Sequence, residues 1–346
     1  TFITQDEDFL TSDHQDFHPT DVLEDADGSV LVVDTGGWYM LCCPTSRQHK
    51  PEVLGAIYRV RRVEQQAIDD PRGDAIAWTE LDPPQLTRYL GDPRPAVRRR
   101  ALERLVSQSA VAVPSLAAVV KSGASAEARL QAVWALTRID YPEARTAART
   151  ALADADEQVR QAALHSVALW RDAAALDLVV PLLSEDSLHN RRAAAEGIGR
   201  IGNSNAVPAL LAAAADYRGR VLDHSLTYAL IEIGDAEQIR QGLAADHPHS
   251  RRVAMLALDN LAEGNLQPES VIKLLDSDDA QTADAAWWIT QRHPEWAGAM
   301  AGFFRKQVAD PNLAAESLAP LARHLARFSE SPQVQQIMAG ALSDPD

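Results

Sequence analysis

Five segments of this chain recur at a spacing of 31 residues, anchored at Ala101, Ala132, Ala163, Ala194 and Ser225. Three residues before the first four anchors stand Arg98, Arg129, Arg160 and Arg191, and the fifth segment has Leu222 there. Four residues after the anchors come Leu105, Leu136, Val167, Ile198 and Ala229. A unit of two short helices cannot bury its apolar face alone, so repeats of this length stack into a continuous array. The next match, Ala254, follows Ser225 after 29 residues, so the period loosens there. The expected architecture is all-α, an α-solenoid of helical repeats preceded by a short β segment.

Composition agrees with that reading. Aromatic residues make up only 5% of the chain and Ala carries much of its apolar content, which suits closely packed helices. The formal net charge is −16. Nucleic-acid binders need a basic face to displace counterions, so DNA and RNA are not the expected partners, despite the consecutive Arg98, Arg99 and Arg100. No apolar run has the length of a membrane span. The chain opens on Thr1-Phe2-Ile3-Thr4 without a signal-peptide pattern, and reads as a mature form or an excised piece of a longer protein. Its only cysteines, Cys42 and Cys43, are adjacent, without metal-ligand spacing, and are expected as buried thiols.

The chain divides into a short and a long region. Residues 1–65 do not follow the repeat. Asp25-Ala26-Asp27-Gly28-Ser29 is a turn, Val30-Leu31-Val32-Val33 a strand ended by Gly36-Gly37, and Ala56-Ile57-Tyr58-Arg59-Val60 a second strand. So few strands form no stable sheet alone, so the segment needs partner strands or must lean on the first helices, near Leu86 and Leu90. Residues 66–85, with Asp69-Asp70-Pro71-Arg72-Gly73-Asp74, read as a linker, and 86–346 as the solenoid. Acids such as Asp154 and Asp156 precede a helix whose dipole they favour, and Pro114 and Pro208 fit a first helical turn.

An acid, six residues to Arg, three to Ala, then an aliphatic residue resembles the HEAT repeats of the phycobilisome-lyase type. Here it runs Asp92/Arg98/Ala101/Leu105, Asp154/Arg160/Ala163/Val167 and Glu185/Arg191/Ala194/Ile198, and Asp246/Arg252 keeps the acid–Arg step. The resemblance implies a right-handed solenoid in which acid and Arg of adjacent units form a ladder. Gly123 where an acid belongs and Leu222 where an Arg belongs are departures that put pairing in doubt at those units. The segments Phe17–Val22, Asp27–Asp34 and Gly55–Val60 resemble the closing blade of a glucose/sorbosone-dehydrogenase-like propeller from planctomycete-type proteins, which place HEAT-like repeats after the propeller. That resemblance implies an extracytoplasmic parent enzyme whose quinone-binding and cytochrome parts lie outside this sequence.

Within the chain itself no catalytic set assembles. Asp21, Asp25, Asp27 and Asp34 lack the spacing of a calcium loop and read as turn caps. His14 and His18 flank Asp16 without a third ligand, and His247/His249 and His165/His224 are scattered. Trp287-Trp288 and Trp296 are read as filling or capping the tapering end of the array. No metal and no cofactor is expected.

One row of positions is informative. The 31-residue step aligns Glu103, Trp134, His165, Glu196 and Thr227, and one turn earlier Arg99, Leu130, Gln161, Arg192 and Asp223. A Trp among polar equivalents, beside Arg, is the composition of a binding site. Arg99, Glu103, Trp134, Gln161, His165, Arg192 and Glu196 are therefore the candidate partner-binding residues, on the concave face. The expected function is a non-catalytic scaffold that engages a protein partner or missing domains of its parent. The alternative is a fragment of a quinone-dependent sugar-dehydrogenase-like enzyme. A chromophore lyase rests on repeat similarity alone, and a DNA-glycosylase-type HEAT protein conflicts with the charge.

Overall fold

The computed structural model describes residues 4–40, 47–64, 66–123, 125–216, 218–311, 313 and 315–343. Cys42 and Cys43 lie outside this set, as does the side chain of Glu185. The chain forms two compact units, the first ending at Gln108 and the second beginning at Ser109.

Among the described residues the first unit holds five strands: β1 Pro19–Glu24, β2 Val30–Asp34, β3 Trp38–Met40, β4 Arg47–His49 and β5 Ala56–Val60. They form an antiparallel sheet in the order β1-β2-β5 and a separate antiparallel pair, β3-β4. Central β2 sets Val32 opposite both Val22 and Tyr58 and buries it. The β1-β2 turn closes through Asp25, which accepts from Gly28 N–H and donates its own N–H to Ser29 O. Asp34 ends β2 and is buried, accepting from His18 N–H at 2.9 Å and Gly36 N–H at 2.8 Å. Gly36 follows at φ +59°, and a Cβ there would stand 2.7 Å from the backbone of Leu54 and Gly55, so this corner requires glycine.

The sheet is not covered in the way its small size suggests. Leu86 and Leu90 are fully buried, yet β1 is exposed along its whole length and β5 leaves Ile57 and Tyr58 exposed. The expected linker is ordered and tied to the helices that follow it. Trp78 is buried and donates its indole N–H to Gly73 O at 2.7 Å. Arg94 donates to Asp70 O at 3.0 Å, and Arg104 to Trp78 O at 3.0 Å. Residues 66–107 thus belong to the compact unit that also contains the sheet.

The second unit is an α-solenoid. Helices pair in sequence: Val113–Ser122 with Ala126–Thr137, Pro142–Arg149 with Glu157–Trp170, and Val207–Ala214 with Arg220–Ile233. Leu188–Ile201 pairs with the short turns Leu176–Val179 and Leu182–Glu185, and Pro248–Asn260 with Ala236–Gln241. Starts and stops follow capping chemistry. Ser125, Asp156, Ser187 and Asp279 cap the helices after them, and Gly202 and Gly234, at φ +74°, end the two helices before them.

The anchors Ala132, Ala163 and Ala194 are fully buried, where a small side chain lets helices approach. Gly199 extends this principle: a Cβ there would lie 2.8 Å from the Ala229 Cα of the next repeat. Ser225, expected as the fifth anchor, is only partly buried, and Leu226 takes the buried place. The repeat has gained one residue, so the row at Asp223/Thr227 shifts to the exposed His224 and Tyr228, whose rings stack at 6.3 Å. Towards the C-terminus, Met300, Phe304 and Phe328 form the core with Trp287 packed on it. The three tryptophans thus divide: Trp287 serves the core, Trp288 is exposed, and Trp296 stacks on His293.

Candidate partner-binding groove

The helices Ala126–Thr137, Glu157–Trp170 and Leu188–Ile201 are held in step by one repeated joint. Arg129 forms a two-pronged pair with Asp154, at 2.7 and 2.9 Å, and caps Gly123 O at 3.1 Å. Arg160 pairs with Asp186 at 2.6 Å through both prongs and caps Asp154 O and Ala155 O. Arg191 reaches Asp216 at 2.9 Å and Leu183 O at 2.6 Å. Each guanidinium therefore ties off carbonyls left open near the end of the preceding helix and grips an acid from the following repeat.

This geometry corrects the expected pairing in three places. The unit at Arg129 does pair, because the acid comes from the next repeat and Gly123 contributes only its carbonyl. The acid met by Arg160 is Asp186. Near Asp246 the carbonyl cap is made by Arg251, which donates to Ala245 O and Asp246 O, while Arg252 turns to Asp223 and Gln281. Leu222 ends the regular series. The charges are locked accordingly. The Arg129 hydrogen bond holds Asp154 below the usual carboxylate range. Burial pushes Asp186 up, but Arg160 and the Ser187 N–H outweigh it, and the carboxyl also lies low.

With their apolar faces turned inward, these three helices leave one polar row outward. It borders a groove of about 420 Å³ that reaches Ser225 on the next helix. Trp134, Gln161, His165, Arg192 and Glu196, all expected in the row, line it together. Trp134 is half-buried, its ring 5.3 Å from that of His165. Gln161, His165, Arg192 and Glu196 are exposed. Among the described residues, the side chains of Gln161, His189, Arg192 and Glu196 make no hydrogen bond or ion pair. Leu130, Gln158 and His189 also line it. Gln158 and His189 were legible in principle, since each stands three residues before a row member and shares its helix face.

Arg99 and Glu103 fall in the first unit. There they line a different depression with Arg72, Asp74 and the β1-β2 turn. The turn's acids are engaged by arginines: Asp25 by Arg59 and Arg72, Asp27 by Arg59 and Arg61. Asp27 is lowered to about 2, first by the Ser29 hydroxyl and N–H and then by Arg61 and Arg59. His18 Nδ1 donates to Gly36 O at 2.8 Å and Asp16 O at 3.0 Å, and Asp16 pairs with Lys50, so this cluster serves the backbone. Among the described residues no group of three His, Cys, Asp or Glu is placed to hold a metal ion. No single helix among them is long and apolar enough to cross a membrane.

Comparison with known proteins adds to the fold. Residues 113–187 and 146–231 match the family model for HEAT repeats. No curated protein matches the sequence. Among solved structures, Kap121p bound to Pho4p is similar over 74% of this chain and 34% of that one, at 14% identity and a TM-score of 0.54. Importin beta is similar over 71% of this chain and 40% of its own length, at 13% identity and a TM-score of 0.49. The complex of CpcE and CpcF of phycocyanin lyase from Nostoc sp. PCC7120 is similar over 78% of this chain and 99% of that one, at 18% identity and a TM-score of 0.38. The chain spans well under half the length of Kap121p and of importin beta. At these identities the likenesses concern the fold alone; the family-model match and the likeness to Kap121p make the second unit a solenoid of HEAT-like repeats.

Proposed function

We propose that this chain is a non-catalytic interaction module whose groove between Trp134 and Glu196 receives a segment of a protein partner. The observation that carries this reading is the groove's state of satisfaction. The ladder arginines Arg129 and Arg160 nearby bond through all three of their guanidinium nitrogens, whereas Gln161, His189, Arg192 and Glu196 leave their polar atoms open beside a half-buried Trp. Tryptophan and arginine with unmatched polar neighbours are the usual anchors of an interface. Amide side chains such as Gln158 and Gln161 suit the backbone of an extended segment, because they donate and accept at once.

The test is selection of binders from a random peptide library on the intact chain, followed by titration against variants. Trp134→Ala is expected to weaken the selected peptides at least tenfold, about 1.4 kcal/mol, without lowering the melting midpoint. Arg138→Ala, on an exposed residue outside the lining, should change nothing. Peptides indifferent to Trp134, Arg192 and Glu196 would refute the groove.

A second reading concerns the sheet. β1 and β5 are edges among the described strands, and Val22, Leu23 and Ile57 are exposed on them. An uncovered apolar edge of this kind supports membership of a larger β assembly, as the propeller resemblance implies. Oxidoreductase chemistry would then reside in other parts of the parent protein. Quinone-dependent dye reduction by this chain alone would overturn that assignment.

A further inference from the structure

The junction between the helix Pro248–Asn260 and the repeat after it contains a histidine bound by carboxylates on both sides. His293 Nε2 lies 2.7 Å from Asp259 Oδ1, and His293 Nδ1 lies 2.6 Å from Glu295 Oε1. Asp259 comes from the end of the earlier helix and its side chain is fully buried. Its other oxygen has no hydrogen bond but forms an ion pair with Arg292 Nη1 at 3.2 Å. Two tryptophans cover these cations: His293 stacks on Trp296 at 4.1 Å and 9°, and Arg292 lies over Trp288 at 4.3 Å. The helix Ala315–Arg327 approaches through Gln291 instead, where Arg327 donates to Gln291 O and His324 meets the Gln291 amide.

A neutral imidazole has one N–H and one lone pair, so it can serve only one of two ionised carboxylates. With both acids ionised the site needs the imidazolium. Burial alone pushes His293 down, but the bonds to Asp259 and Glu295 outweigh it and raise it above the ordinary histidine value. The two acids are unequal: Asp259 is buried and Glu295 largely exposed. When the proton leaves, the remaining N–H stays with Asp259, which cannot turn to water, and Glu295 faces a lone pair and swings away.

We infer that this junction is a proton-dependent latch, closed by the His293 imidazolium and loosened at the Pro294–Trp296 turn when that proton is lost. Because the folded value is raised, the stabilisation is complete below the unfolded histidine range, near 6.5, and disappears as pH rises through the folded value.

The experiment is an NMR titration of the imidazole resonances in the full chain, together with melting midpoints at pH 6 and pH 9. His293 is expected to titrate above the ordinary range, with its neutral form protonated on Nε2. Glu295→Gln, at an exposed acid that leaves the buried pair intact, should move His293 back toward the ordinary value. The midpoint advantage of wild type over His293→Gln should be larger at pH 6 than at pH 9. Titration of His293 at or below the ordinary value overturns the inference. So does an unchanged titration in Glu295→Gln, which can be read even if His293→Gln does not fold.

Discussion

Between Arg129 and Asp216 neighbouring repeats are joined by the same device three times, while between Ser250 and Trp296 each joint is made differently. In the first stretch a guanidinium caps backbone carbonyls behind it and grips an acid ahead. In the second, Ser250 donates its hydroxyl to Leu211 O, Arg252 turns to Asp223 and Gln281, Thr282 donates to Pro248 O, and His293 bridges two acids. The cause is visible in the spacing. A constant 31-residue step returns the same side chain to the same place, so one solution serves every joint. One residue gained near Leu226 turns the next helix, and each later junction must satisfy its buried polar groups with whatever side chain then faces inward.

The largest effect is expected where the regular joint is broken. Arg160→Ala strips the Asp186 carboxylate, 3% exposed, of its only cationic partner among the described residues, leaving it the Ser187 N–H and the Asn190 amide, and leaves two carbonyls uncapped. Removing one side of such a buried pair costs about 3 kcal/mol. The melting midpoint should fall by many degrees, and an unchanged midpoint would show the ladder to be ornamental. In the irregular stretch a smaller loss is expected. Thr282→Val preserves shape but removes a buried hydroxyl bonded to Pro248 O and Asp279, at 3.2 and 2.6 Å. A cost of about 1–2 kcal/mol in denaturant unfolding would place the two kinds of joint on one scale. A loss as large as that of Arg160→Ala would reverse their order.

What the sequence disclosed follows the same division. The period, the buried Ala anchors and the row from Trp134 to Glu196 were legible because helical geometry repeats them without reference to anything distant. The partner of each ladder arginine was harder. It stands 25 or 26 residues ahead, and an acid six residues before the Arg competes for attention although only that region's carbonyls are used. The loss of register at Ser225 was hidden by a polar residue at an anchor position, which reads equally well as a weak anchor or an exposed side chain. His293 carried no local signal, since Asp259 lies 34 residues away and in another repeat. Trp78 shows the limit for the first unit: a segment rich in Asp, Pro and Gly reads as linker, yet one buried indole holds it in order.

The smallest effect is expected at a joint that, like the ladder, sets an arginine against an acid of the next repeat and differs from it in burial. Arg200 Nε approaches Glu232 Oε1 of the next repeat at 3.4 Å, and its side chain is 40% exposed. It makes this single contact, whereas Arg160 has four, two to Asp186 and one each to the carbonyls Asp154 O and Ala155 O. Water already solvates the guanidinium, and salt screens what attraction remains. Arg200→Ala should therefore cost under about 1 kcal/mol, with the difference shrinking further in high salt. The deficit of Arg160→Ala should persist in the same buffer, because its charges are shielded from ions by the helices around them. If both deficits vanish with salt, the ladder acts through long-range charge and the capped carbonyls contribute little. If neither does, Arg200 supports the close approach of Gly199 to Ala229 by packing, and exposure is a poor guide to which inter-repeat arginines matter.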